Sequence, residues 1–108
     1  MRLTKISNDF TVTGQIGVSD IPDIVAAGFR TLICNRPDNE GWGQTNHDAI
    51  QAAAEKAGLD FHYIPVGGGL TMETVQQMKA AATAKTPSLA YCLSGSRAAT
   101  IYQYAMKA

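Results

Sequence analysis

Four short apolar runs, separated by segments with helical spacing and turn residues, restrict this chain to an alternating α/β fold. Phe10 to Thr13 is a β-branched run ending at Gly14 and reads as an edge strand. Arg30 to Cys34 reads as a buried strand, as do Phe61 to Val66 and Ser88 to Cys92. Ser19 is placed to cap a first helix, with Asp20 in its first turn, Pro22 where a missing N–H does no harm, and Gly28 as its stop. Asn46 caps a second helix, in which Ala49, Ile50, Ala53, Ala54 and Ala57 keep helical spacing before Gly58. Thr71 caps a third, with Val75, Met78 and Ala82 on one face, and Arg97 opens a last helix running to about Met106.

The alternation predicts an α/β architecture of three layers: a parallel-rich sheet of four to five strands flanked by helices. The 108 residues suffice for one core, so residues 1–108 are expected to form one domain. Ligands of such sheets bind at the carboxyl ends of the strands. Three loops then converge as candidates: 34–45, 66–71 and 92–97.

Charge balance narrows the partners. Lys plus Arg and Asp plus Glu are 9 each, so the chain lacks the basic footprint of a general nucleic-acid binder or a cationic membrane-surface segment. No apolar run of signal-peptide or membrane-spanning length occurs, and a cytoplasmic location is expected. Two cysteines, Cys34 and Cys92, are too few for a disulfide framework and would rest there as thiols. Two histidines and two cysteines without ligand spacing predict no metal site, and no cofactor is expected.

The segment from Cys92 to Arg97 carries the chemistry. It lies between a strand and a helix, where unpaired N–H groups and the helix dipole favour an anion and therefore a thiolate. Gly95 lets the backbone turn its N–H groups inward as an anion nest. Leu93, Ser94, Gly95 and Ser96 form the cradle, the two serines as added hydroxyl donors. Arg97 supplies a planar fork for an oxyanion. The bland alternative is a buried structural cysteine beside a surface arginine, which explains Cys92 alone but not the combined pattern.

Cys-x-x-Gly-x-Arg resembles the active loop of rhodanese-type sulfurtransferases, which place four residues after the cysteine. Cysteine-dependent phosphatases use five before the arginine, usually with His ahead of the cysteine; here Tyr91 stands there. The rest of the chain resembles the phosphatase-like domain of beta-lactamase-hydrolase-like proteins. The resemblance runs from Ile6 to about Tyr104. It rests on Gly14-Gln15, on Leu32 to Glu40 with its Arg36-Pro37-Asp38 run, on Tyr63-Ile64-Pro65-Val66 and on Cys92 to Arg97. It implies a dual-specificity-phosphatase fold. It also implies persulfide chemistry, since some members of the family are fused to, or encoded near, sulfide-oxidising metallo-hydrolases.

A phosphatase of that fold needs a general acid for the leaving oxygen. The resemblance puts it just after the Tyr63–Val66 strand, where this chain has Gly67, Gly68 and Gly69. Asp38 or Glu40 would have to substitute. Sulfur transfer from thiosulfate or a persulfide needs no acid, because its leaving group is already a stable anion. The leading expectation is therefore a sulfurtransferase acting through a Cys92 persulfide. A Cys92-dependent phosphatase is the alternative, and a redox or anion-binding module using Cys34 and Cys92 is the third. The substrate is in each case a small anion: thiosulfate, a persulfide or a phosphate ester.

Supporting residues follow. Arg36 either faces the same pocket as Arg97 or pins its own loop through Asp38 or Glu40. Tyr63 is expected to line the pocket, and Cys34 is either a resolving thiol or a small buried hydrophobe. His62 reads as a satisfied or exposed strand residue rather than a base, and Trp42 as a lid or packing residue.

Overall fold

Successive side chains on a strand point to opposite faces, and that period of two sorts the core into two clusters. The computed structural model describes residues 1–107. Its strands are β1 (Thr4–Ser7), β2 (Phe10–Thr13), β3 (Thr31–Cys34), β4 (Asp60–Tyr63) and β5 (Ser88–Tyr91). Its helices are α1 (Ile21–Ala26), α2 (His47–Lys56), α3 (Met72–Ala84) and α4 (Ser96–Lys107), with a single 3₁₀ turn at Val18–Asp20. One face of the sheet packs Phe10, Val12, Ile33 and Ala90 against Met78, Ala82, Ile101 and Ala105 of α3 and α4. The other packs Leu32, Cys34, Leu89 and Tyr91 against Ile24 of α1 and Ile50 and Ala54 of α2. The result is the expected three-layer α/β arrangement with a five-stranded sheet.

The strand order is β1-β2-β5-β3-β4. β1 runs antiparallel to β2, and the other four are mutually parallel. Their register pairs Thr13 with Tyr91, Tyr91 with Cys34 and Cys34 with Tyr63. Four strand ends therefore lie in one row, and the loops that follow all leave from the same edge of the sheet.

Three expectations are corrected. Phe10–Thr13 is not an edge strand: it lies between β1 and β5, and all four of its residues are buried. β1 takes the edge, with an exposed-to-half-buried pattern. Ser19 does not cap α1. It sits inside the 3₁₀ turn, and the Asp20 carboxylate reaches back to accept from the Gly17 N–H at 2.9 Å. The run from Phe61 to Val66 is a strand only as far as Tyr63, although Ile64 and Val66 still donate to the carbonyls of Cys34 and Asn35. Thr71 does cap α3, its hydroxyl accepting from the Thr74 N–H at 3.1 Å. Among the described residues no helix is long and apolar enough to cross a membrane.

Candidate active site

Cys92 is the first residue beyond β5, in the row of strand ends. The chain then turns through Gly95 into α4. The Gly95 N–H donates to Cys92 Sγ at 3.0 Å, the contact that stabilises a thiolate. Gly95 has φ of 93°, and a Cβ there would come within 3.4 Å of the Thr13 carbonyl. Glycine is thus demanded both by conformation and by the neighbouring backbone.

Two further residues staple this loop to β2. The Cys92 N–H donates to the Thr13 carbonyl at 3.4 Å, and the Gln15 N–H donates to the Leu93 carbonyl at 3.3 Å. A Cβ on Gly14 would lie 2.9 Å from that Leu93 oxygen. Gly14 is there because the Cys92 loop passes directly over it. Ser94 and Ser96 are exposed and hydrogen-bond one another at 3.0 Å, so their hydroxyls do not point at the sulfur as donors in this state. Leu93 is exposed. Cys92 has no exposed surface.

Arg97 and Arg36 meet on one carboxylate. Arg97 Nη1 and Nη2 donate to Glu40 Oε2 and Oε1 at 2.7 and 2.6 Å, a bidentate fork. Arg36 Nε donates to Glu40 Oε1 at 3.0 Å. Arg97 also donates to the Val66 carbonyl at 2.9 Å, and Arg36 Nη1 donates to Gln15 Oε1 at 3.0 Å. The two open readings of Arg36 thus merge: it pins its loop through Glu40 and shares an anion with Arg97. The Arg97 hydrogen bond, with Arg36 adding to it, holds the Glu40 carboxyl down at about 2. Glu40 in turn strengthens the Arg97 proton, and Cys92 contributes in the same direction. Arg97 also lines a cavity of about 280 Å³, together with Val66, Gly67, Gly69, Leu70, Ser96 and Thr100.

Neither candidate acid is available. Glu40 is held ionised between two guanidiniums. Asp38 is spent on the start of α2: Oδ1 accepts from the His47 N–H at 2.8 Å, and Oδ2 pairs with His47 Nδ1 at 2.6 Å. Asn46 keeps the N-cap position, its side chain pairing with Asn39. Tyr63 serves this latch rather than lining the pocket. Its hydroxyl accepts from the Asp38 N–H at 3.0 Å, and its ring stacks on His47 with centroids 3.7 Å apart. Burial raises the Tyr63 hydroxyl above its ordinary value.

Cys34 and Cys92 pack into different clusters, on opposite faces of the sheet. Cys34 Sγ donates to the Arg36 carbonyl at 3.3 Å, and burial pushes its thiol up. Cys34 is buried like a small hydrophobe, and both cysteines are free thiols. Trp42 is not a packing residue: it stands fully exposed. Gln15, Gly14 and the Val66 carbonyl lay outside the reading of the Cys92 loop. Each acts through contacts across distant parts of the chain, and only the Gly14-Gln15 pair of the resemblance touched on them. Among the described residues no three His, Cys, Asp or Glu side chains cluster as a metal site.

Comparison with known proteins agrees with this geometry. The family model described as "Beta-lactamase hydrolase-like protein, phosphatase-like domain" matches residues 2–107. A beta-lactamase hydrolase-like protein of Agrobacterium fabrum is 37% identical over 105 residues, covering 94% of this chain and 24% of the relative. The chain thus spans about a quarter of the length of the curated relatives it matches. A solved structure from Neisseria meningitidis, presented as that of a candidate phosphatase, is 30% identical over 93% of this chain and 72% of its own, with a TM-score of 0.82. The core catalytic domain of a PP-IP phosphatase from S. cerevisiae shares the fold at 8% identity, with a TM-score of 0.61 over 86% of this chain and 56% of its own. The fold is that of the dual-specificity and protein-tyrosine phosphatases.

Proposed function

The chain belongs to the family of phosphatase-like domains of beta-lactamase hydrolase-like proteins, and from the side chains around Cys92 we propose that it is a cysteine-dependent enzyme whose Cys92 thiolate moves sulfane sulfur between small anions. One observation carries the choice of sulfur. Neither candidate carboxylate is free to protonate a leaving alkoxide: residues 67–69 are glycines, Glu40 is clamped as an anion, and Asp38 is paired with His47.

The chemistry uses only what the loop offers. The Cys92 thiolate attacks the outer sulfur of thiosulfate, an S–S bond forms to Cys92, and sulfite leaves with the electron pair of the broken bond. Cyanide or an acceptor thiolate then attacks the outer sulfur of the persulfide, and the Cys92 thiolate is regenerated. No proton is required in either step when the acceptor is an anion. The Gly95 N–H steadies the negative sulfur, and Arg97 and Arg36 supply charge for the sulfonate end. Persulfides made by a sulfide-oxidising metallo-hydrolase are donors of the same chemistry.

A second reading, phosphate-ester hydrolysis through a Cys92 phosphocysteine, is favoured by the family description and by the neighbour from Neisseria meningitidis. The comparisons speak more for it than for sulfur transfer. It stands second because an absent general acid costs about 10²–10⁴-fold in rate.

Purified protein incubated with thiosulfate and cyanide is expected to form thiocyanate, and Cys92→Ser to form none. Phosphate release from para-nitrophenyl phosphate is expected to be negligible in both. Cys92-dependent phosphate release without thiocyanate would establish the second reading and discard the first.

A further inference from the structure

A carboxylate gripped by two arginines beside a nucleophile has the chemistry of a bound substrate. We propose that Glu40 is the specificity-determining residue of this site: its carboxylate occupies the place of the substrate's oxyanion, so the site opens to ligands that bring an oxyanion of their own. The proposal rests on the reading of Cys92 as the centre of an anion-handling transfer site, and it names the class of ligand that site takes.

Three observations carry it. Carboxylate, sulfonate and phosphate share the geometry that an arginine fork recognises, and Glu40 takes three hydrogen bonds from Arg97 and Arg36 together. Cys92 has no exposed surface, so the observed state is closed and something must move before a donor reaches the sulfur. The backbone of Glu40 is fixed, because Gln44 Oε1 accepts from the N–H groups of Glu40 and Gly41 at 3.0 and 3.1 Å while Gln44 Nε2 holds the Pro37 carbonyl at 2.9 Å. The mobile part is therefore the Glu40 side chain, which can swing out while its loop stays in place.

Displacement then has a selective consequence. An incoming sulfonate or phosphate restores the arginine contacts that Glu40 gives up. A neutral ligand restores none, and it leaves the buried Arg36 without its counter-charge. The ligands selected are those that carry an oxyanion of their own, as thiosulfate does.

The test reads anion binding rather than turnover. Cys92 is alkylated with neutral iodoacetamide under rising sulfate, and the Cys92 peptide is followed by mass spectrometry. Sulfate is expected to protect Cys92, and Glu40→Gln to lower the half-protecting concentration by about tenfold or more, the scale of a charge-assisted contact. Protection unchanged or weakened in a folded Glu40→Gln protein would overturn the proposal, since Glu40 would then only buttress the arginines. A measurement on the wild type covers the case in which the variant does not fold. The ¹³C resonance of the Glu40 carboxylate is expected to move as sulfate saturates the protein, and a stationary resonance at saturation rejects the proposal. Because neither readout depends on product, a protein that makes no thiocyanate can still confirm the gate, and one that makes it can still refute the gate.

Discussion

Gly14 has no room for a methyl group, since the Leu93 carbonyl oxygen would lie 2.9 Å from it. That oxygen is backbone of the Cys92 loop and cannot step aside without moving the nucleophile. Gly14→Ala is expected to cost about 1–3 kcal/mol in urea unfolding, as overpacking does, and to slow Cys92 alkylation. Gly17→Ala is the control, because nothing lies within 4 Å of its added carbon. Cys92, Gly95 and Arg97 were legible in the sequence because their chemistry is local: strand end, turn and helix start lie within six residues. The work of Glu40 was not. It reads as a spare acid until Arg97, 57 positions away, is seen to hold it as an anion. Only tertiary contact separates a carboxylic acid that can give a proton from a carboxylate that cannot.

The loop between β3 and α2 is tied down at both ends, by Asp38 on His47 and by Asn39 on Asn46, and across to α4 by Glu40. This last tie has a pH signature. The Glu40 carboxyl is lowered from 4.5 to about 2, so its contribution is fully present above 4.5 and is lost as pH falls through about 2. Thermal midpoints of wild type and Glu40→Gln, measured from pH 7 to pH 2, are expected to differ most above 4.5 and to converge on acidification. A constant gap would show that the pair contributes no proton-linked stability. At this scale the alternation of strands and helices was plain in the sequence, because parallel strands buried on both faces are short apolar runs bounded by turns. β1 escaped notice because Thr4–Ser7 is short, polar and at most half-buried, with no alternation to mark it. Without a strand signal at Thr4–Ser7, the pattern puts β2 at the edge. Ser19 and Asn46 are sound caps by residue type, but Ser19 lies inside a 3₁₀ turn whose Asp20 carboxylate accepts from the Gly17 N–H, and Asn46 keeps the N-cap position while the Asp38 carboxylate takes the His47 N–H.

The molecule as a whole carries the sheet, row of strand ends and cysteine loop of a phosphatase fold, with glycines where the resemblance expects an acid. A Cβ on Gly68 meets no atom within 4 Å. If only the acid is missing, Gly68→Asp should raise Cys92-dependent hydrolysis of para-nitrophenyl phosphate by about 10²-fold, the lower end of general-acid catalysis. An unchanged rate would mean that the four-residue loop itself refuses the phosphoryl group. The absent acid and the loop length were both readable from residue order alone, whereas the closed state of the site belongs to the folded chain. Trp42, the sole tryptophan, stands wholly in water two residues from the gating carboxylate, between Gly41 and Gly43. The protein thus holds its one tryptophan on the loop that carries Glu40, and emission excited selectively at that indole is an optical record of the loop with no label attached.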